Sequence, residues 1–237
     1  MKPPIERTPF SVPPESDSAA ETLPQKLADE EAISTTLWLI RHAEVEESYH
    51  HVFGGRIDME LSPHGHEQAA TLTQFLQGKR FDVCYASPMK RVHQTLESVL
   101  KNGMPKPVVL SELREVDFGD WTGLHWSEVQ EKYGVSAFAW LDQLECDGIP
   151  NAESSKMLRA RVEPCLRKLL RKHRGEQVAI VCHGGIIRVI LSLLLDLPLS
   201  KLAVLEVDYA SVTKVVWTPA VSRLELANFT PWRDLVQ

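Results

Sequence analysis

Short apolar runs alternate with longer amphipathic segments along most of this chain. The runs are the length of buried strands, and they lie at 37–40, 81–86, 108–110, 178–182, 203–207, 212–217 and 224–229. The longer segments have apolar residues at helical spacing, and they cover 62–78, 87–100, 126–140, 154–174 and 186–195. Alternating strands and helices predict a single α/β domain. We expect a mostly parallel central sheet between two helical layers, a three-layer αβα arrangement.

Serine-proline pairs precede two of the predicted helices. Ser62-Pro63 and Ser87-Pro88 each combine a good N-cap residue with the residue favoured at the first helical position. The second pair puts Arg91 into the first turn of its helix, near the end of the preceding strand. An anion is stabilised at such a place by the free N–H groups of the helix.

The first 33 residues differ in composition from the rest. They are rich in Pro, Ser, Glu and Ala, and their six prolines exclude a long regular element. We therefore expect residues 1–33 to be a flexible, Pro-rich extension and residues 34–237 to form the folded domain.

Charge and composition narrow the classes of function. The 237 residues are 43% hydrophobic and 24% charged, with a net charge of −6, which argues against general nucleic-acid binding. The most apolar stretch, 186–199, is too short and too interrupted to cross a membrane. The four cysteines form no CxxC pair and the N-terminus lacks the apolar run of a signal peptide, so we expect a reducing, cytoplasmic location.

Charged and polar residues follow several of the predicted strands. Arg41 and His42 end the first predicted strand, and His183 follows the strand at 178–182. Arg91 lies in the first turn of the helix predicted at 87–100, and Glu115 lies in the loop after the strand at 108–110. Carboxyl ends of parallel strands share one edge of a sheet, where ligands bind. Two arginines and two histidines gathered there need an anion, and guanidinium groups match phosphate oxygens. An imidazole can take a phosphoryl group covalently while a carboxylic acid protonates the leaving oxygen. Alternatively, Arg41 forms a surface ion pair and His42 is a core histidine.

Five sequence blocks in order resemble the histidine phosphatase (phosphoglycerate mutase-like) superfamily. They are Leu39-Ile40-Arg41-His42-Ala43-Glu44, Asp58-Met59-Glu60-Leu61-Ser62-Pro63-His64-Gly65, Ala86-Ser87-Pro88-Met89-Lys90-Arg91, Leu113-Arg114-Glu115-Val116-Asp117-Phe118-Gly119-Asp120-Trp121 and Cys182-His183-Gly184-Gly185. Ala43 stands where the family usually has glycine. The resemblance covers roughly residues 36–230, and it makes 34–237 the catalytic domain.

The resemblance implies a role for each matching residue. His42 is the phosphoryl acceptor, Glu115 the proton donor, and Arg41, Arg91 and His183 bind the phosphoryl group, with His183 counted among the catalytic residues. Metal-independent phosphomonoester hydrolysis without any cofactor is therefore expected. The four other histidines that invite a metal site do not share a face at their spacing: His50, His51, His64 and His66.

The late segment 205–212 resembles that of bacterial alpha-ribazole phosphatases. This likeness implies a phosphorylated small-molecule substrate, alpha-ribazole 5′-phosphate, with Arg56 and Tyr209 as contacts. The pair Asn151-Ala152 departs from the expected Gly-Gly. Two alternatives stay open, a phosphoglycerate mutase-type phosphomutase and a non-catalytic member that binds phosphorylated ligands. A homodimer is also left open.

Overall fold

A six-stranded sheet lies at the centre of the computed structural model, which describes residues 33–101 and 103–235. The strands are β1 (Thr35–Arg41), β2 (Val83–Ala86), β3 (Val108–Val109), β4 (Gln177–Cys182), β5 (Val212–Trp217) and β6 (Ser222–Phe229). Their order in the sheet is β3-β2-β4-β1-β5-β6. The pairs among β1 to β4 are parallel, whereas β5 is antiparallel to both of its neighbours. The predicted α/β class with a mostly parallel sheet is confirmed.

Helices cover both faces of the sheet. They are α1 (Pro63–Leu76), α2 (Lys90–Leu100), α3 (Trp126–Tyr133), α4 (Trp140–Glu145), α5 (Ser155–Lys172), α6 (Gly184–Leu195) and α7 (Pro231–Asp234). Alternate residues of β1 point to opposite faces, because a strand has a side-chain period of two. Leu37 and Leu39 join the core under α3 to α6, and Trp38 and Ile40 join the core under α1, α2 and α7. The predicted three layers are therefore present.

Of the two serine-proline pairs, the first opens a helix as predicted and the second does not. The Ser62 hydroxyl accepts the Gly65 N–H at 2.9 Å and caps α1, and Ser154 caps α5. The prediction that Ser87-Pro88 opens α2 is wrong, because α2 begins at Lys90. The Ser87 hydroxyl instead forms a 2.7 Å hydrogen bond with His183.

The predicted strand at 203–207 is also wrong. A 3-10 helix covers Leu199–Val204, and an irregular segment follows it. The carbonyl groups of Leu205 and Val207 accept hydrogen bonds from Arg188 and Arg41 rather than from a neighbouring strand. The pattern of apolar residues does not show that arginine side chains, instead of a neighbouring strand, bind these backbone carbonyls.

The predicted helix at 126–140 is divided in two. Gly134 adopts the left-handed conformation with φ +68° and ends α3, and α4 begins only at Trp140. Glycine takes this conformation without the steric cost that a side chain imposes. The break places the 3-10 turn Ala137–Ala139 beside the cavity described below.

Two further predictions concern the ends of the chain and membranes. Apart from Ile33, the expected flexible extension 1–33 lies outside the described residues, so it and the domain boundary stay predictions. Within the described part of the chain, every helix is too short or too polar to cross a membrane.

Candidate active site

The ends of two adjacent parallel strands bring the predicted histidines together. Arg41 ends β1 directly opposite Cys182 at the end of β4. The backbone N–H of His42 donates to the carbonyl of Cys182 at 3.0 Å, which extends the pairing by one residue. As a result, the rings of His42 and His183 lie side by side with their centroids 5.2 Å apart.

The surroundings of His42 fix where its proton lies. Its Nδ1 is 2.8 Å from the carbonyl oxygen of Ala43, which can only accept, so Nδ1 carries the hydrogen. Nε2 then carries the lone pair of the ring, which accepts an N–H from Nε of Arg91 at 3.1 Å. Burial, followed by the charges of Arg91 and Arg41, holds the pKa of His42 well below its usual range. The ring is therefore neutral at pH 7.

His183 has one ring nitrogen bound to Ser87 and one that is buried without a partner among the described residues, Nδ1. Its Nε2 is 2.7 Å from the Ser87 hydroxyl, which itself accepts the Met89 N–H at 3.4 Å. When the Ser87 hydroxyl donates to Nε2, Nδ1 of His183 carries the hydrogen and offers it as a donor. Burial and nearby Arg91 lower the pKa of His183 well below its usual range.

Arg91 is a buried cation held on several sides. It is 2% exposed and donates to the carbonyls of Ile57 at 2.7 Å and Gly55 at 3.0 Å, besides its bond to His42. Burial lowers the pKa of Arg91 to about 10, so the side chain stays charged at pH 7. Three of its five N–H groups are used in these bonds, which leaves two for a ligand.

Arg41 is fixed by the segment that follows the 3-10 helix. Its Nη1 donates to the Val207 carbonyl at 2.6 Å, and its guanidinium carbon lies 3.9 Å from the centre of the Tyr209 ring. Nε of Arg41 is buried and has no hydrogen-bond partner in the described part of the chain. Tyr209 also lies 5.6 Å from the His42 ring, between centroids. This predicted contact residue therefore borders the same site.

Glu115 faces the start of α6. Its carboxylate accepts the Val116 N–H at 3.0 Å and the Gly185 N–H at 3.2 Å. A Cβ atom on Gly185 would lie 2.5 Å from Oε1 of Glu115, so only glycine permits this close approach.

These groups line one end of a cavity of about 410 Å³. The lining includes Arg41, His42, Arg91, Glu115 and Tyr209, whereas His183 lies fully buried just behind it. Next to His42, the guanidiniums of Arg41 and Arg91 carry positive charge and the His42 ring is neutral, while Glu115, Glu206 and Asp208 also line the cavity. Guanidinium groups and free N–H donors that converge in this way suit an anion such as a phosphate.

The family comparison agrees with this geometry. Residues 37–230 match the model of the histidine phosphatase superfamily, branch 1. The chain belongs to the histidine phosphatase superfamily. The resemblance of its five sequence blocks is confirmed.

Named relatives of this histidine phosphatase carry several activities. It is 30% identical to phosphoserine phosphatase 1 of Hydrogenobacter thermophilus over 76% of this chain and 85% of the relative. It is 31% identical to a 2,3-bisphosphoglycerate-dependent phosphoglycerate mutase of Bartonella quintana over 66% of this chain and 79% of the relative. The crystal structure of alpha-ribazole phosphatase from Shigella flexneri superposes with a TM-score of 0.70 at 26% identity, over 81% of this chain and 96% of that chain. The predicted phosphatase activity on small metabolites is supported, and the protein is a phosphatase.

Arg188 is a site residue that the sequence reasoning missed. It lines the cavity from α6 and donates to the carbonyls of Gly184 at 3.2 Å and Leu205 at 2.9 Å. Burial lowers the pKa of Arg188 to about 10. Arg188 is four residues after Gly184, so the two lie on the same face of α6. This spacing could have indicated a site residue, but Arg188 lies within an apolar run that was interpreted only as a buried helix.

Arg56 occupies a different place from the one that the resemblance implied. It is absent from the cavity lining and forms ion pairs with Asp117 at 3.1 Å and Glu153 at 3.5 Å. Two carboxylates thus already balance its charge. Its position favours a structural role, and we leave it out of the proposed substrate contacts.

A second arginine holds the Glu115 loop of this histidine phosphatase in place. Arg161 donates two hydrogen bonds, of 2.8 and 2.7 Å, to the buried carboxylate of Glu153. It also donates to the carbonyls of Glu112 and Arg114 at 2.6 and 2.9 Å. The loop that carries Glu115 is therefore tied to the start of α5.

The two departures from the family pattern fit the backbone. Asn151, where glycine is expected, has φ +56°, a conformation that asparagine tolerates better than most residues. Ala43 is fully buried, its φ is not positive, and its N–H donates to the Thr95 hydroxyl at 3.0 Å. Neither position forces strain on the site.

Proposed function

We propose that the protein hydrolyses phosphomonoesters of small metabolites through a phosphohistidine at Nε2 of His42, without a metal or another cofactor. The observation that carries the proposal is the neutral, buried His42 ring, whose Nε2 lone pair lies among the guanidiniums of Arg41 and Arg91. A neutral imidazole is a nucleophile, and surrounding cations keep it unprotonated while they attract the phosphoryl dianion.

The first step transfers the phosphoryl group to the enzyme. The Nε2 lone pair of His42 forms a bond to phosphorus, and the bond from phosphorus to the alcohol oxygen breaks. Glu115 in its protonated form gives its proton to the leaving oxygen. The N–H groups of Arg41 and Arg91 and the Nδ1–H of His183 hydrogen-bond the equatorial oxygens, which is the electrostatic help that phosphoryl transfer needs.

The second step returns the enzyme to its starting state. The Glu115 carboxylate takes a proton from water, and the water oxygen forms a bond to phosphorus. The phosphorus–nitrogen bond breaks and its electron pair returns to Nε2 of His42. Inorganic phosphate leaves, and Glu115 is again protonated for the next turnover.

Alpha-ribazole 5′-phosphate is the substrate that we propose first. Segment 205–212 resembles alpha-ribazole phosphatases, and Leu205, Val207 and Tyr209 within it line the cavity. A solved alpha-ribazole phosphatase shares the fold and 26% of the sequence. The alternative is a phosphomutase, in which the substrate rather than water takes the phosphoryl group back. It is supported by the phosphoglycerate mutase among the relatives.

A substrate screen tests the proposed function. We expect phosphate release from alpha-ribazole 5′-phosphate or related phosphomonoesters at equal rates with and without EDTA. Loss of activity in EDTA and its recovery with a divalent cation would contradict the metal-independent route. Incubation with 3-phosphoglycerate and a trace of 2,3-bisphosphoglycerate should yield no rapid 2-phosphoglycerate, and its formation would indicate the mutase. Binding without any turnover would indicate a non-catalytic member.

The substitution Glu115→Gln should slow the first step according to the leaving group. Amide nitrogen cannot donate a proton as a carboxylic acid does, so single-turnover phosphorylation by an alkyl phosphate should fall about 10²- to 10⁴-fold. An aryl phosphate has a good leaving group and should lose much less. The exposed carboxylate Glu206 at the cavity wall offers the control Glu206→Gln, which should affect both substrates by the same factor. Equal losses for both substrates in Glu115→Gln would remove Glu115 from the acid role.

A cytoplasmic location is proposed on the thiol groups. All four cysteines are free, and Cys84 and Cys182 are fully buried. Burial raises the pKa of Cys84 to about 12, which keeps the thiol inert. These features suit a reducing compartment, and the net charge of −6 supports the proposed absence of nucleic-acid binding.

A homodimer is the assembly that stays proposed. Strand β3 lies at the edge of the sheet, and its two valines are 47% and 46% exposed. Such an edge can pair with another copy.

A further inference from the structure

Besides its charged residues, the cavity is lined by a group of aromatic residues, here called the aromatic wall. Ring-bearing residues of this wall are Tyr49, Phe53, Phe118, Trp126, Phe138 and Trp140. Its volume of about 410 Å³ falls in the range of pockets that enclose a whole small-molecule ligand. The phosphoryl group occupies only the charged end, so the rest of the space belongs to the alcohol part of a substrate.

Phe138 is the most exposed member of the wall. It lies on the 3-10 turn Ala137–Ala139 and is 78% exposed, although it lines the cavity. Its ring meets the edge of Trp126, with centroids 5.6 Å apart and planes at 65°. The Ser136 hydroxyl caps this turn by accepting the Phe138 N–H at 3.3 Å. The turn thus holds a large apolar ring at the cavity instead of burying it in the core.

Trp140 continues the wall towards α6. Its ring packs edge-on against Phe118, with centroids 5.4 Å apart. The guanidinium carbon of Arg188 lies 5.9 Å from the Trp140 ring centre. Each terminal nitrogen of Arg188 already donates to a backbone carbonyl. These bonds use two of the five N–H groups of Arg188, and the rings of Phe118 and Trp140 give this side of the cavity its flat apolar surface.

We propose that Trp126, Phe138 and Trp140 form a binding site for a planar, largely apolar ring on the alcohol part of the phosphomonoester. Aromatic rings gain free energy from stacked or edge-on contact in addition to the area that they bury. A ring-free alcohol leaves this surface in water and gains nothing from it. This inference rests on the proposed function, and it makes the aromatic wall the determinant of substrate choice.

A matched pair of substrates isolates the ring. Benzimidazole riboside 5′-phosphate and ribose 5-phosphate share the same type of phosphate ester bond at a primary alcohol, and they differ in the ring. We expect kcat/KM to be at least about tenfold higher for the riboside phosphate, because several ring contacts of this kind add together. The substitution Phe138→Ala should lower kcat/KM for the riboside phosphate about fivefold, mainly through KM, and should leave ribose 5-phosphate within about twofold.

Exposed Val204 supplies a control. It is 91% exposed and does not line the cavity, so Val204→Ala should change neither substrate. Because Phe138 is itself exposed, its loss does not threaten folding. Phosphate release from both substrates without preference for the ring, or equal effects of Phe138→Ala on both, overturns the aromatic site alone. Release from neither substrate by the unaltered enzyme overturns the proposed function together with it.

Discussion

Replacing His42 with alanine should abolish turnover of every phosphomonoester substrate. The change removes Nε2, the atom that we propose forms the bond to phosphorus. The neighbouring His183 cannot substitute, because its Nε2 is hydrogen-bonded to Ser87 and, in that tautomer, its Nδ1 carries a hydrogen instead of a lone pair. We expect kcat to fall by on the order of 10⁴-fold or more. Rapid-quench trapping of ³²P-labelled substrate should find no labelled protein.

Exposed His66 on α1 is the matched control. His66→Ala should keep both activity and the labelled intermediate. The guanidiniums of Arg41 and Arg91 remain in His42→Ala, so this variant should still bind inorganic phosphate, which shows that the site survives. Labelled protein or undiminished turnover in His42→Ala would falsify the assignment of the nucleophile.

Acidification from pH 6.5 to pH 5.5 should destabilise the folded protein through His42 and His183, two of its buried histidines. The pKa values of His42 and His183 are well below their usual range in the folded state, whereas the unfolded chain takes protons near pH 6.5. Below that pH the unfolded state binds more protons, so the free energy of unfolding falls as pH falls. Each histidine should contribute a loss of about 1 kcal/mol over this interval, and the pair about 2 kcal/mol. Urea denaturation at the two pH values measures the change.

A variant comparison separates this effect from the titration of carboxylates. His42→Gln removes one of the two imidazoles whose pKa is lowered, so its loss of stability on acidification should be about 1 kcal/mol smaller than that of the unaltered protein. His66→Gln changes an exposed histidine and should leave the pH dependence as it is. A pH dependence that is the same in all three proteins would show that His42 is protonated in the folded state.

The residues at strand ends could be predicted from the sequence for a physical reason. Parallel strands that alternate with helices must place their carboxyl ends at one edge of the sheet. His42 and His183 each come one residue after such an end, at β1 and β4, and Arg91 lies in the first turn of α2. The alternation of strands and helices, together with the rule that parallel strands end at one edge, was sufficient to predict that these three residues lie close together.

Contacts between distant loops could not be predicted in that way. Arg188 reads as an interruption in an apolar helix, and only the folded chain shows it facing the cavity. The bonds of Arg161 to Glu153 and to the carbonyls before Glu115 depend on how two loops meet. Arg56 has its charge balanced by partners 61 and 97 residues away in the sequence. The spacing of apolar residues, which repeats every two residues in strands and every 3.6 in helices, does not indicate contacts between residues so far apart in the sequence.

The anchoring of Arg91 has a consequence for how this enzyme could be re-engineered. Arg91 donates two hydrogen bonds to the main-chain carbonyl oxygens of Gly55 and Ile57, and no side chain of the 55–57 turn takes part in these two bonds. The side chains of Arg56 and Ile57 can therefore be exchanged without disturbing the Arg91 guanidinium, as long as the backbone path is preserved. Gly55 must stay glycine, because its φ is +48° and a Cβ atom there would lie 3.1 Å from the Val116 carbonyl oxygen. A graft that lengthens or shortens the turn, in contrast, would displace Arg91 and break its hydrogen bond to His42. Libraries that aim at new substrates should vary residues 56 and 57 and keep loop length constant.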